Sequence, residues 1–595
     1  MSQTLAEDEY NVKHVFNTLW IERIAKLVDN VNAHKADGAL FVTREVGRVF
    51  HTFQYRTKFN LRDDVKNNAK ARDLLKKGDE MFAPNVARYI EAAKHYNECI
   101  AFSKPGSEER AEAYLNRSAV SFKLKRYEDC LVNFRLAHGT NQAARIVNLM
   151  KDRERMALDS LAYIISVPPN ARRLQKHMNE FPLSSRTRVK TALELRKNDQ
   201  FGRHVVTNCD LSAGQVVIVE KPFASVLKSY LRCVRCAFCY EERLFTLIPC
   251  EGCTVEMYCS QECMGKAYEA YHRYECAILR DMHRISVEYA WVALRTVATA
   301  IASFDHNLEA MKEHIERLDE SSVNAFGMNW QTATAKDKYN TIHVLSSYQA
   351  HRKIYVAFAA FHANVIYHLL IDRTELRPIC IVKPELRKLL FDLVLRNLKV
   401  AANNATKQNF FSYKVSEQSY RSEPYAHACF SMSSMLNHSC APNVLKLALR
   451  GGRCAVVVLR PIRQGEQLFV SYGDCHKTAP RPARQRSMIL FDNFMCKCVA
   501  CKHNYKTLKQ SIDATTNFEN SIENRYISHV NNVIDSHDKF LVVSLISELK
   551  AYINTFDDDY PTVPLCLAHT AFARAIAVLH SFTSENADYW AFCKP

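Results

Sequence analysis

The string Leu436-Asn437-His438-Ser439-Cys440-Ala441-Pro442-Asn443 and the string Cys496-Lys497-Cys498-Val499-Ala500-Cys501 lie far apart in the chain, yet the second is incomplete without the first. Three closely spaced cysteines supply three soft ligands, and a closed tetrahedral zinc site takes four. Cys440 is the candidate for the fourth. A metal shared by the two strings would pin the later segment over whatever surrounds Asn437. The expected fold is therefore one in which a late segment is clasped onto a central one.

Cysteine use elsewhere agrees. The chain holds 21 cysteines, and Met1 to Asn11 is polar and acidic, without the apolar core of an export signal. A reducing compartment is expected, so clustered cysteines point to metal rather than disulfides. Seven fall between Cys236 and Cys276, in the pattern Cys236–x2–Cys239, Cys250–x2–Cys253, Cys259–x3–Cys263 and His272–x3–Cys276. Eight soft ligands in four pairs account for two tetrahedral zincs, which are closed and therefore structural. With Cys440, Cys496, Cys498 and Cys501 the expectation is about three zinc ions. Cys233–x2–Cys236 is an equally good first pair by local spacing, with Cys233 in place of Cys239. The pair Cys236/Cys239 leaves ten residues before Cys250 and the other leaves thirteen, so the shorter loop is favoured. The module has too little apolar content for a core of its own, so it is expected to need metal to fold. Its closed zincs leave no place for substrate or water, so it is expected to be separable from the site where the chain's chemistry is done.

Working outward, the first ~195 residues read as helical, with apolar residues at helical spacing and few turn residues. Leu75, Gly78, Phe82, Tyr89, Ala92, Ala93, Tyr96 and Ile100 are echoed by Leu115, Ala119, Phe122, Tyr127, Leu131, Phe134 and Ala137. Small residues that admit aromatics between antiparallel helices resemble tetratricopeptide (TPR) pairs. Val205–Val206 and Val216 to Val219 read as strands, as do Val444 to Leu449, Cys454 to Leu459 and Gln467 to Ser471. Ala277 to roughly Asn409 reads as a long, mostly helical insert, and helix returns after Tyr505. The fold class expected is α+β multidomain, a β-rich body split by a metal module and a helical insert, with helices at both ends. The divisions are 1–65, 66–140 (TPR-like), 141–195, 196–475 (the split body), 233–276 (double zinc module), 277–409 (insert), 476–505 (clasp) and 506–595. With 595 residues, three to five domains fit the usual ~100–200 residues each. No apolar run reaches the ~18 residues of a membrane span, so no membrane partner is expected. The net charge of +17 comes without a long basic run, so it reads as a basic-biased surface and direct nucleic-acid binding is not expected.

Two family resemblances sharpen this. Tyr258-Cys259-Ser260-Gln261-Glu262-Cys263 and Tyr271-His272-Arg273-Tyr274-Glu275-Cys276 resemble the MYND zinc finger, with Tyr268 where that family often has tryptophan. The resemblance implies a protein-interaction module with two cross-braced zincs. The string at Asn437–His438 resembles the core motif of SET-domain methyltransferases. Phe201-Gly202-Arg203-His204-Val205 resembles their opening glycine loop, Gly465 to Gly473 the strand leading to their tyrosine, and Cys496–Cys501 their post-SET clasp. A SET body split by MYND and a helical insert is similar to the SET- and MYND-domain (SMYD) family, in its TPR-containing branch.

That resemblance implies a protein-lysine N-methyltransferase using S-adenosylmethionine (SAM). Phe201, Gly202 and Arg203 are implied at the methionine end of SAM, Asn437 and His438 at the adenosine, and Phe494 near the adenine. Tyr472 is implied as the catalytic tyrosine, orienting the methyl and lining the lysine channel. The chemistry needs a neutral amine, whereas free lysine titrates near ~10.4, so the site must desolvate it. Two departures weigh against full activity. His204 stands where many SET domains have glycine. Asp492, four residues before Cys496, stands where the family usually has a tyrosine forming the other channel wall. Either Asp492 lines the channel, or it faces solvent and Phe491 or Tyr425 fills the wall. The alternative to an enzyme is a catalytically weak SET/MYND scaffold or corepressor-type adaptor. Expected partners are a protein substrate presenting lysine, and proteins bound through the MYND and TPR-like regions, deacetylase or corepressor complexes among them. A monomer in cytoplasm and nucleus is expected.

Overall fold

In the computed structural model, the structure describes residues 38–52, 59, 61, 63–139, 151–166, 188–189, 192–347, 353–414, 419–515, 522–536 and 538–580. Most of the expected segments 1–65 and 141–195 lies outside these.

Helix α1 (Gly38–Thr52) is followed by two helix pairs, α2 (Asn68–Phe82) with α3 (Tyr89–Phe102) and α4 (Glu108–Lys123) with α5 (Tyr127–His138). Asn67 and Ser107 cap α2 and α4, each accepting a backbone N–H of the first turn. The two pairs repeat each other in detail. Phe82 meets Tyr89 with ring centroids 5.7 Å apart, and Phe122 meets Tyr127 at 5.5 Å. Gly78 is required by close approach, because a Cβ there would lie 2.4 Å from the Tyr96 ring. The turn within the first pair, 83–88, is longer than that within the second, 124–126. Helix α6 (Lys151–Ser166) follows and packs on α5.

The β-body comprises β1 (Arg188–Val189), β2 (Leu193–Asn198), β3 (Gly202–Thr207), β4 (Val216–Glu220) and β5 (Ala224–Leu227), then β6 (Ile248–Pro249) and β7 (Met257–Tyr258) inside the cysteine-rich module. The insert follows, its longest helices being α7 (Glu288–Ala302), α8 (Lys353–Arg373) and α9 (Pro384–Asn404). Then come β8 (Thr406–Lys414), β9 (Ser419–Cys429), β10 (Asn437–His438), β11 (Val444–Ala448), β12 (Cys454–Val458) and β13 (Phe469–Val470). The strand orders are β1-β4-β12-β11, β5-β9-β8 and β2-β3, and β10 runs parallel to β13. Strands β8 and β9 escape the sequence reading. They are polar and aromatic, and only their pairing with each other and with the buried β5 makes them strands.

Strand β12, Cys-Ala-Val-Val-Val, is buried on both faces, which is why its apolar run is continuous. Val456 and Val458 face the main core, shared with the N-terminal helices, the cysteine-rich module and the insert. Ala455 and Val457 face a second core against α10 (Ile522–Asp535), α11 (Lys539–Phe556) and α12 (Val563–His580). A small third core surrounds Cys440, Met488, Cys496 and Cys501. Among the described residues no helix is long and apolar enough to cross a membrane.

Candidate active site and metal centres

Twelve metal-ligand candidates gather into three groups whose donor atoms lie within 4.8 Å of one another: Cys236, Cys239, Cys259 and Cys263; Cys250, Cys253, His272 and Cys276; and Cys440, Cys496, Cys498 and Cys501. The pairs interleave, first with third and second with fourth. The spacing fits zinc. A tetrahedron with Zn–S of ~2.3 Å has edges of about 3.8 Å. The sulfurs stand 3.7 Å apart for Cys239–Cys259, 3.7 Å for Cys250–Cys276, 3.9 Å for Cys440–Cys496 and 3.6 Å for Cys440–Cys501. Gly252 is fixed by the same geometry, since a Cβ there would lie 2.7 Å from Cys276 Sγ. Cys233 belongs to no group. It is buried in the core, and its carbonyl accepts from Asn97 Nδ2 at 2.7 Å. Metal quantification on purified protein should therefore give about three zincs per chain, falling by one in Cys440→Ala. A value near one would refute the assignment.

The cysteine-rich module is packed into the rest of the structure on two sides. Its apolar side chains, Leu244, Phe245, Leu247, Met257 and Tyr258 among them, belong to the main core. On one side the N-terminal helices grip its main chain through buried polar groups. Asn97 Nδ2 donates to Leu244 O at 2.6 Å, Asn133 Nδ2 to Phe245 O at 2.7 Å and Arg117 Nη1 to Leu247 O at 2.9 Å. Lys66 Nζ donates to the carbonyls of Cys250 and Cys253 at 2.5 and 2.7 Å. On the other side Arg295 of α7 forks onto Glu275 at 2.9 and 2.6 Å, donates to Ser225 O of β5 at 2.9 Å and lies over the Tyr271 ring at 3.9 Å. Sequence reasoning missed these residues. Their only signal is a polar side chain on an otherwise apolar helix face.

The predicted cofactor residues gather around the parallel pair β10–β13. Asn198 Oδ1 accepts from Phe201 N at 2.8 Å and sets the loop, in which Gly202 takes φ +62°. Asn437 Nδ2 donates to the carbonyls of Phe201 and Arg203 at 3.1 and 3.2 Å, joining loop to strand. His204 lies close to the Gly202 carbonyl, Nδ1 to O 2.9 Å, so its side chain folds onto the loop. Arg203 reaches Ser346 Oγ at 3.2 Å in the insert.

The His438 ring is held by two partners within the protein. Its Nδ1 accepts from Tyr472 N at 3.0 Å, so Nε2 carries the proton and faces Cys440 Sγ at 3.3 Å. Both ring nitrogens are engaged, which leaves the ring face for a ligand. That face meets Tyr472 at 5.3 Å and Phe494 at 6.1 Å between centroids. Burial lowers its pKa to about 4, so it is neutral. Asn493, in the left-handed region at φ 60°, turns the chain so that Phe494 follows Asp492 back toward His438.

Tyr472 is 45% exposed, yet its hydroxyl sits inward and donates to Leu436 O at 3.0 Å. Burial first, and the Asp492 carboxylate second, push its pKa up, so it stays protonated. Asp492 is half-buried, and burial pushes its own pKa up to about 6. The two other candidates for the channel wall are placed elsewhere: Phe491 is 69% exposed, and Tyr425 is buried between Tyr240 and Phe410.

Comparisons with known proteins agree with this geometry. The SET domain family model matches residues 202–473. Protein-lysine N-methyltransferase SMYD4 of Homo sapiens is 23% identical over 534 residues, covering 70% of this chain and 65% of the relative. The same-named protein of Gallus gallus is 23% identical over 522 residues, covering 69% of each. Histone-lysine N-methyltransferase SMYD3 of Mus musculus is 24% identical over 295 residues, covering 49% of this chain and 57% of the relative. The chain spans just under two thirds of the first relatives' length, 65%. The SET body split by a double cysteine-rich module, the helical insert and the Cys440-closed clasp are the features in which the chain is similar to these SET- and MYND-domain (SMYD) proteins.

Proposed function

We propose that the protein is a SAM-dependent protein-lysine N-methyltransferase. The observation that carries this is the neutral Tyr472 hydroxyl, fixed on the Leu436 carbonyl beside the parallel strand pair β10–β13, around which Phe201, Gly202, Asn437, His438 and Phe494 lie. SAM bound there supplies an activated methyl on a sulfonium. Phe201, Gly202 and Arg203 would hold its methionine end, and the Asn437–His438 strand with the Phe494 ring its adenosine. The chain's own contribution is alignment and exclusion of water. Tyr472 has spent its proton on Leu436, so it offers only oxygen lone pairs to a positive methyl and does not serve as a base. The half-buried wall lowers the cost of holding a neutral amine.

Transfer of label from radioactive SAM into cell-extract proteins tests this. Tyr472→Phe should lower transfer at least tenfold while SAM affinity, titrated directly, stays within about twofold. Equal labelling by wild type and Tyr472→Phe would sink the reading. Asp492 favours a second reading, a weakly active scaffold or corepressor-type adaptor, whose mark is SAM binding without turnover. Partner recruitment, deacetylase or corepressor complexes included, is proposed for the outer faces of the MYND-like module and TPR-like helices, since their inner contacts hold each other. A monomer in cytoplasm and nucleus, where thiols stay reduced, completes the proposal.

A further inference from the structure

Between Lys477 and Lys509 the chain carries eight Lys and Arg residues and one acid, Asp492. A zinc ion held by four thiolates keeps two net negative charges, and Arg484 takes up part of them, its Nη2 lying 3.8 Å from Cys501 Sγ. Lys477 is half-buried. Six cations remain on the clasp surface, Arg481, Arg486, Lys497, Lys502, Lys506 and Lys509, all exposed but Arg481, which is half-buried. None of the six forms an ion pair among the described residues. Large apolar side chains stand exposed in the same segment: Phe491 at 69%, Met495 at 57%, Val499 at 45% and Ile489 at 40%. A cleft of about 830 Å³ opens in the same segment, lined by Arg481, Lys506, Pro480, Pro482 and Tyr505 and by Gln485, Asn504 and Gln510.

Charge of one sign, apolar anchors and side-chain amides ask for a partner with all three complements. Solvated lysines alone would suit any polyanion. The concavity suits an extended chain better than a flat bilayer, and the amides suit a peptide main chain. The position matters too, because Met495 and Lys497 flank Cys496, while Phe494 of the same segment faces His438 in the candidate active site. We propose that the clasp surface docks an acidic, apolar-bearing segment of the protein substrate, so that the lysines chosen are those flanked by Asp and Glu. This rests on the methyltransferase reading and names its substrate class.

The test uses full-length, zinc-loaded protein and three fluorescent lysine peptides, with acidic-apolar, alanine and basic flanks. Affinity is read by anisotropy, and methyl transfer separately. The acidic peptide should bind at least tenfold tighter than the alanine peptide, with the advantage shrinking as salt rises. Arg481→Glu/Lys506→Glu should erase that advantage and leave the alanine peptide and the zinc content unchanged, while Lys123→Glu, on the remote N-terminal helices, should leave all three as in wild type. Flank-indifferent binding and transfer would overturn the docking surface and leave the methyltransferase standing. Flank-selective binding without transfer to any peptide would support the surface and sink the methyltransferase. If anionic vesicles or duplex DNA show the dependence on Arg481 and Lys506 and the peptides do not, the occupant is wrong and the proposal falls.

Discussion

Asp492→Tyr is expected to raise methyl transfer to a lysine substrate by about tenfold or more, with SAM affinity little changed. The Asp492 carboxylate raises the Tyr472 pKa, so the two groups share one electrostatic neighbourhood. An ammonium brought to Tyr472 therefore meets that carboxylate, which favours the charged amine. Each unit by which the amine pKa rises costs about 1.4 kcal/mol in forming the neutral nucleophile, or about tenfold in rate. Tyrosine removes the charge and restores an aromatic wall. The same residue has a stability signature. Burial lifts the Asp492 pKa to about 6, above its unfolded value, so its charge destabilises the fold fully above that pH and not at all below the unfolded pKa. Asp492→Asn should thus stabilise the protein by about 1 kcal/mol at pH 7 after allowance for solvent screening, the gain vanishing toward pH 4. Unchanged turnover in Asp492→Tyr would mean that the carboxylate does not reach the incoming amine.

Much of this arrangement is legible in the chain because ligands and turns leave short signatures. The cysteine pairs fix both zinc partners, and the Asn437–His438 string with Cys440 announces the clasp. Residues whose roles depend on distant packing leave none. Nothing local marks Arg295 as the tie between β5 and the zinc module, or β8 and β9 as strands. Spacing favoured Cys239 over Cys233 only by a shorter loop, and it is the fold that brings Cys239 to Cys236, Cys259 and Cys263 while burying Cys233 in the core. His438 shows a third limit. Its motif carries no sign that its two nitrogens face Tyr472 N and Cys440 Sγ.

Arg295→Ala should be the most damaging single change outside the metal ligands, at about 3–5 kcal/mol. Arg295 and Glu275 are 2% and 1% exposed, so removing one leaves the other charged, buried and unpaired. Glu275 sits between the ligands His272 and Cys276, so the loss should spread to the metal. Zinc release to a chelator, followed with a colorimetric indicator, should begin at a lower chelator concentration and coincide with loss of helical signal. Arg295→Met with Glu275→Leu should recover most of the stability, because an apolar pair of similar volume carries no desolvation penalty. A chelation curve unchanged in Arg295→Ala would show that the zinc module holds its metal without this tie.

The grip of Asn97, Arg117 and Asn133 on residues 244–247 also sets a timetable for synthesis. Asn97 leaves the ribosome 136 residues before Cys233, whose carbonyl it will hold. At about 5–20 residues per second, the wait is roughly 7 to 27 s. Throughout it, the Arg117 guanidinium and two amides, which end fully buried, face water or whatever else is near. These helices are therefore made well before they can be finished. The event that finishes them is the arrival of the zinc-binding segment with its metal, so a cell short of zinc should accumulate chains whose N-terminal helices remain open to chaperones and proteases.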